Sequence, residues 1–354
     1  MGNGWHRFHF RASAAALIAA SLPCLAQADH AYKYFRVGNA TAASGAVAKA
    51  GYALMGGGTD LDEAFQWLCG RAGGGDFLVL RARGDDDYNP YVHKLCPKLN
   101  SVATLIIPSR EAALDPEVAH RIAEASALFI AGGDQANYIN FWMGTPVQTA
   151  LNDAVARGIP LGGTSAGLAV MGEYAYSAQG DKPDDADLSS ALAMSDPFGP
   201  RITLVHGFLS IPVLRGIITD THFAKRNRMG RLLVFLARGS EPDGKPLPPP
   251  GLGIRGIGVE QGAAVLVEPD GAARVIGHGS AYFIDARNAY GILIGGKFGV
   301  MALHKPITFG PFDVQKVAPR QAFNLKTWSG DATRHKLSIR KGKVISTQAG
   351  GSVY

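Results

Sequence analysis

Apolar and polar positions along the chain fall into two regimes. In the first, short apolar runs read as strands at Tyr52–Met55, Phe77–Leu80, Val102–Ile107, Ala127–Ala131, Ile159–Leu161, Ile202–Val205 and Ile217–Thr219. Between several of them lie helix-like segments such as Glu117–Ala125 and Val147–Ala156. Near-continuous apolar strands alternating with helices predict an α/β fold: a three-layer, mostly parallel sheet covered by helices on both faces. After Gly253 the pattern shortens. Ala263–Val267, Arg274–Ile276, Ala281–Ile284 and Val300–Leu303 predict short antiparallel strands with tight turns. Residues 178–200, rich in Asp, Ser, Pro and Gly, and residues 239–253, which include Pro248-Pro249-Pro250, read as loops. From about Pro306 the chain turns polar and basic. This divides it into a main domain at 29–305 and a C-terminal extension at 306–354.

The N-terminus follows a different pattern. Arg7 and Arg11 precede the apolar run Ala12–Ala20, and Ala26-Gln27-Ala28 fits the small-x-small rule for signal peptidase. Residues 1–28 are therefore expected to be a signal peptide, too short to anchor stably in a bilayer, with a secreted or periplasmic product that has no membrane partner after cleavage. Cys24 falls inside this segment, and Pro23 before it argues against a lipoprotein cysteine. Cleavage removes two arginines and no acid, so the formal charge falls from +6 to +4. That mild bias, with no lysine or arginine block, excludes nucleic acid as an expected partner. The mature chain keeps Cys69 and Cys96, which an oxidising compartment would allow to pair, but the sequence does not place them together. At 47% hydrophobic residues a sizeable core is available. A homodimer stays open, because the sequence does not fix the oligomeric state.

The chemistry begins at Gly162-Gly163-Thr164-Ser165-Ala166-Gly167, a serine in a Gly-x-Ser-x-Gly frame between a strand-like and a helix-like stretch. A serine at such a strained turn needs small neighbours if its Oγ is to stay exposed. The amide of Ala166, with one from Gly132 or Gly133, would then hold a developing oxyanion. The alternative is a glycine-rich turn that only packs a helix on a sheet. A nucleophilic serine needs a base, and His222 stands just past the strand-like Ile217–Thr219, where α/β sheets build sites. Arg226, Arg228 and Arg231 follow. On a helix the last two share a face, and all three suit bidentate grip of carboxylates, unless they form an ordinary solvated basic helix start. Gly132-Gly133-Asp134-Gln135 ends another strand, and its paired glycines allow a ligand close to the backbone, as they would allow any tight turn. Gly56-Gly57-Gly58 reads as a close backbone turn, without the lysine of a phosphate loop.

Taken in order, these patches resemble the cyanophycinase family, serine peptidases related to peptidase E. The matching residues are Gly132-Gly133-Asp134-Gln135, Gly163-Thr164-Ser165-Ala166-Gly167, and Asp220-x-His222-Phe223 with Arg226-Asn227-Arg228-Met229-x-Arg231, and the resemblance covers roughly residues 50 to 305. It implies a fold like class I glutamine amidotransferases, Ser165 as nucleophile and His222 as base. It also implies a substrate of the cyanophycin type, a poly-aspartate backbone with arginine on each side chain, cleaved to β-aspartyl-arginine. Asp134, Gln135, Asp220, Thr221, Arg226, Arg228 and Arg231 fall where that family lines its substrate pocket.

The chain departs from the family in two places. Thr221 stands where the family has a glutamine, and Gly256-Ile257-Gly258-Val259-Glu260-Gln261 aligns with the segment carrying the family's acid, so that Gln261 matches the catalytic glutamate and Glu260 the aspartate before it. A glutamine can accept a hydrogen bond from imidazole but does not stabilise imidazolium by charge. Either Glu260 takes over as the partner of His222, or the protein is slower, altered in substrate, or a binder of such polymers. A related exported peptidase for Asp-X or isoaspartyl peptides is the nearest alternative. An α/β-hydrolase esterase is disfavoured because its acid precedes its histidine in the chain. The mechanism needs no cofactor, and no run of zinc-ligand spacing occurs.

Overall fold

A computed structural model describes residues 1–2, 31–182, 184–240, 254–291, 293–294, 297–298 and 304–354. The body of the signal segment, most of the proline-containing loop and the strand expected at Val300–Leu303 lie outside the described residues. From Ala31 to Tyr354 the chain forms one compact unit.

The first half alternates strands and helices as the apolar pattern predicts. In chain order these are β1 (Lys33–Gly38), β2 (Tyr52–Met55), α1 (Asp62–Arg71), β3 (Asp76–Arg81), α2 (Tyr88–Leu95), β4 (Ser101–Ile106), α3 (Arg110–Leu114), α4 (Pro116–Glu124), β5 (Ala127–Ile130), α5 (Gln135–Trp142), α6 (Pro146–Ala156), β6 (Leu161–Thr164) and α7 (Ala166–Ala169). Strands β4, β3, β5, β6 and β2 lie side by side in that order, each pair parallel. Their side chains split by the two-residue period. Leu54, Leu78, Leu80, Leu128 and Ile130 pack with Ile122, Trp142 and Leu151 of α4–α6. Ala53, Phe77, Val79 and Phe129 pack with Phe65, Leu68 and Val92 of α1 and α2. Helices thus cover both faces, and each buried Leu or Phe contributes about 1.5–3 kcal/mol.

The second half builds another sheet. It contains β7 (Tyr174–Tyr176), β8 (Leu204–His206), β9 (Ile217–Asp220), β10 (Arg255–Val259) and β13 (Ala281–Asp285), with α8 (Ser190–Ser195) and α9 (Met229–Ser240) packed against one side. The hairpin of β11 (Ala263–Val267) and β12 (Ala272–Gly277) returns instead to the first sheet, where β11 pairs antiparallel with β2. The expected C-terminal extension is shared between the two sheets. Ala322–Asn324 and Ser329–Gly330 lengthen the first, while Phe309–Val317, Thr333–Arg340 and Lys343–Ser346 lengthen the second. Among the described residues no helix is long and apolar enough to cross a membrane.

Several strand limits shift by a residue or more from the apolar pattern. The strand expected at Ile159–Leu161 runs instead through Gly162 and Gly163 to Thr164, and that expected at Ile202–Val205 is Leu204–His206. Glycine hides the first because β6 is crowded on both sides. A Cβ on Gly162 would stand 2.6 Å from Leu68 Cδ1, and one on Gly163 2.7 Å from the Gly167 carbonyl carbon.

Candidate active site

Register places the site. The parallel pairing of β2 with β6 sets Met55 beside Thr164, so the glycine turn after β2 meets Ser165 after β6. The parallel pairing of β9 with β10 sets Asp220 beside Gly258, so His222 lies next to Glu260 and Gln261. The four C-terminal strand ends, two from each sheet, converge. Such ends are where α/β sheets leave room for a ligand.

Ser165 holds φ 52° and ψ −119°, a conformation non-glycine residues avoid, at a cost of about 1–3 kcal/mol. Its amide donates to Met55 O at 3.2 Å, and Ala169 N–H bonds back to its carbonyl at 2.9 Å. Gly167 lets α7 sit against β5, since a Cβ there would be 2.0 Å from Ile130 O. Backbone strain is thereby held in place by both neighbouring strands. Ser165 Oγ lies 2.7 Å from His222 Nε2. His222 also has positive φ, 48°, and its amide donates to Gly56 O at 2.8 Å.

The turn Gly56-Gly57-Gly58 is the floor of this pair. Gly57 has φ +86°, and a Cβ on it would stand 2.5 Å from His222 Cε1 and 3.1 Å from Ser165 Cβ. Nothing in the local sequence marked this run as part of the site. Its glycine-only spelling was the available signal.

The third member is Gln261. Its side-chain Nε2 lies 2.6 Å from His222 Nδ1. Glu260, the other expected partner, is committed elsewhere: its carboxylate accepts from Ser280 N–H and from Tyr282 Oη–H, both at 2.8 Å. The alternation of side chains at a strand end sends these neighbours to opposite sides. An amide presents a donor and an acceptor at the same reach. With the Gln261 Nε2 donating to Nδ1 the imidazole would donate to Ser165, whereas turning the amide puts the Gln261 Oε1 on Nδ1–H and leaves the His222 Nε2 free to accept the serine proton. No carboxylate faces the ring within hydrogen-bond distance among the described residues. Burial first, then the positive charges of Arg226 and Arg228, push the His222 pKa down to about 4, against the opposing pull of Asp187 and Asp220.

Ser165 opens into a cleft of about 640 Å³. Gly133 and Ala166 line it beside the serine, and a Cβ on Gly132 would lie 3.5 Å from Ser165 Cβ. The Ala166 N–H is the first of α7 and so has no intrahelical acceptor. Asp134 and Gln135 stand at the cleft wall, where the Asp134 carboxylate caps α5 through Ala136 N–H at 2.9 Å.

The arginines depart from the expectation of three free anion grips. Because α9 starts at Met229, Arg226 and Arg228 belong to the turn before it. Arg231 is fully buried and chelates Asp220 through Nε at 2.8 Å and Nη2 at 2.6 Å. Arg228 bonds Asp187 at 2.7 Å and the Thr221 carbonyl at 3.0 Å, and Arg226 bonds Asp187 at 2.6 Å. Burial raises the Asp187 carboxyl, but the two arginines outweigh it and hold it below the usual range. Asp220 and Thr221 thus serve the arginines from buried positions. Sequence reading missed Arg83, Lys182, Asp181 and Asp185, which also line the cleft. Arg83 and Lys182 form no ion pair among the described residues, and so the cleft offers cations and carboxylates together. Cys69 and Cys96, left open by the sequence, form a disulfide that ties α1 to the end of α2.

This α/β fold sets a serine on a strained strand-to-helix turn against a histidine, the arrangement that serine hydrolases use. Comparison with known proteins narrows the class. Residues 81–198 match Peptidase family S51. Cyanophycinase of Synechococcus elongatus is 28% identical over 228 residues, covering 62% of this chain and 62% of that protein. Cyanophycinase of Trichormus variabilis is 30% identical over 185 residues, 52% of this chain and 53% of that protein. Over these stretches the chain is similar to peptidase family S51 and to proteins called cyanophycinases. The chain spans less than two thirds of the length of those relatives. A crystal structure of a peptidase from an acI-B1 Actinobacterium aligns with a TM-score of 0.49 at 15% identity, covering 79% of this chain and 98% of that one.

Proposed function

We propose that the chain is an exported serine peptidase that hydrolyses cyanophycin to β-aspartyl-arginine dipeptides. The observation that carries the reading is Ser165 Oγ at 2.7 Å from His222 Nε2, on the wall of a cleft lined by both signs of charge. A polymer whose arginines carry both a guanidinium and a free α-carboxylate suits such a lining. The cyanophycinase relatives point to the same substrate.

In this mechanism His222 Nε2 takes the proton of Ser165 as Oγ attacks the scissile backbone carbonyl. The Ala166 N–H, with that of Gly132 or Gly133, stabilises the oxyanion. Collapse breaks the C–N bond, and His222 gives its proton to the leaving amine. Water then attacks the acyl-serine, with His222 again taking a proton, and Ser165 is regenerated. Gln261 holds the ring through Nδ1 without adding charge. Export is supported by the N-terminal pattern and by the Cys69–Cys96 disulfide, a bond that persists in oxidising compartments.

The test is release of β-aspartyl-arginine from purified polymer by the mature chain, beside Ser165→Ala. Release by the wild type alone supports the reading. No release, or equal release by the variant, ends it. If α- or β-aspartyl dipeptides are cleaved and the polymer is not, the substrate is a small aspartyl peptide.

A further inference from the structure

The residues beyond Pro306 supply none of the reacting groups, yet Tyr354 reaches back to them. Its ring stands edge-on to Phe223, with centroids 5.9 Å apart, and to Tyr282, at 5.7 Å. Its hydroxyl accepts from Met229 N–H at 2.9 Å and donates to Asn227 Oδ1 at 3.0 Å. Each of these partners adjoins the site. Phe223 follows His222 in the chain, Tyr282 donates to Glu260 next to Gln261, and Asn227 and Met229 flank Arg228.

The turn they hold stores strain at two places. His222 and Asn227 both have φ 48°, at a cost of about 1–3 kcal/mol each. Such residues keep their shape only where the surroundings over-determine it. From inside, the turn is held by Arg226 N–H on His222 O and Arg228 N–H on Phe223 O, both at 2.9 Å. From below, Gly258 leaves room for the Phe223 ring, since a Cβ there would lie 2.6 Å from it. The outer side is closed by Tyr354.

We propose that Tyr354 is a positioning residue: it clamps the 222–228 turn and thereby sets His222 Nε2 against Ser165 Oγ. The inference rests on the reading of Ser165 and His222 as the reacting pair, but not on the identity of the substrate. A displaced base costs rate steeply, because errors of about 1 Å in catalytic geometry can cost on the order of 100-fold.

The experiment compares wild type, Tyr354→Phe and Tyr354→Ala as mature full-length protein. Two signals are read: the rate at which a fluorophosphonate labels Ser165, and the ring resonances of ¹³C-labelled histidines as pH is varied. Tyr354→Phe keeps the ring contacts and loses the hydroxyl bridge, so labelling slows several-fold. Tyr354→Ala loses both and slows by about tenfold or more. In both variants the His222 resonance and its titration move, while those of the remote, exposed His120 do not. Labelling at the wild-type rate in Tyr354→Ala, or an unmoved His222 titration, overturns the inference, even if thermal stability falls. Should wild type label at Ser165 yet release no dipeptide from polymer, the substrate reading fails and the positioning role stands. If wild type does not label, the reacting-pair reading fails, and the inference about the base fails with it.

Discussion

Replacing Gln261 by glutamate tests the site's most unusual contact. The amide lies 2.6 Å from His222 Nδ1, so the isosteric carboxylate would take a charge-assisted hydrogen bond at the same place. Arg226 and Arg228, the cations that depress the histidine, also favour the ionised form of that carboxylate. An opposite charge at such distance raises a histidine pKa by about 1–3 units, and each unit corresponds to about 1.4 kcal/mol. Starting from about 4, the imidazole would then titrate at roughly pH 5–7. The same interaction favours the imidazolium formed during attack. Its about 1.4–4 kcal/mol corresponds to roughly 10- to 1000-fold in kcat/KM at pH 8.

The assay is kcat/KM against pH, because its acid limb reports the free enzyme's base. In wild type the neutral, active histidine persists down to about pH 4, and activity falls below that. In Gln261→Glu the limb moves to higher pH while the plateau rises. Glu260→Gln serves as the contrast. Its carboxylate is bound to Ser280 and Tyr282, so the limb stays in place. Stability must be followed alongside. A histidine whose folded pKa lies below 6.5 stabilises the fold above that pH, and the contribution is lost as pH falls towards 4. An acid limb that does not move in folded Gln261→Glu, or one that moves in Glu260→Gln, would refute the assignment of Gln261 as the residue orienting the base.

Three further outcomes follow from packing. Gly57→Ala puts a Cβ 2.5 Å from the imidazole at φ +86°, so labelling of Ser165 should drop by about 100-fold while circular dichroism stays native. Asp220→Asn strips the chelated carboxylate from fully buried Arg231. A loss of about 3–5 kcal/mol in urea unfolding is expected, and a loss below 1 kcal/mol would contradict the pairing. Reducing Cys69–Cys96, which are 27 residues apart, should cost about 3–4 kcal/mol by loop entropy, seen as a lower urea midpoint in reductant for wild type and no shift for Cys69→Ser/Cys96→Ser.

What the sequence made legible was local. The frame around Ser165 and the strand before His222 can be read because each depends on a few adjacent residues and their period. The choice between Glu260 and Gln261 cannot be read that way. It hangs on the Gly258-to-Asp220 register between two strands, and a slip of one residue would exchange the two side chains. The glycine turn at 56–58 is obscure for the same reason, because it meets Ser165 only through the pairing of β2 with β6. Charge misleads in another way. Arg226, Arg228 and Arg231 look alike in sequence, but Arg231 is consumed by a buried carboxylate and the first two share Asp187, a residue that sat in an apparently featureless loop. Among the described residues that line the cleft, the cations without an ion pair are Arg83 and Lys182, each outside the motif. The C-terminal residues follow the same logic. Their polar, basic spelling suits an appendage, yet every second side chain of Thr333–Arg340 from His335 on is buried, so the segment belongs to the second sheet. A half-exposed sheet face and a solvated tail share that composition, and only the two-residue alternation tells them apart.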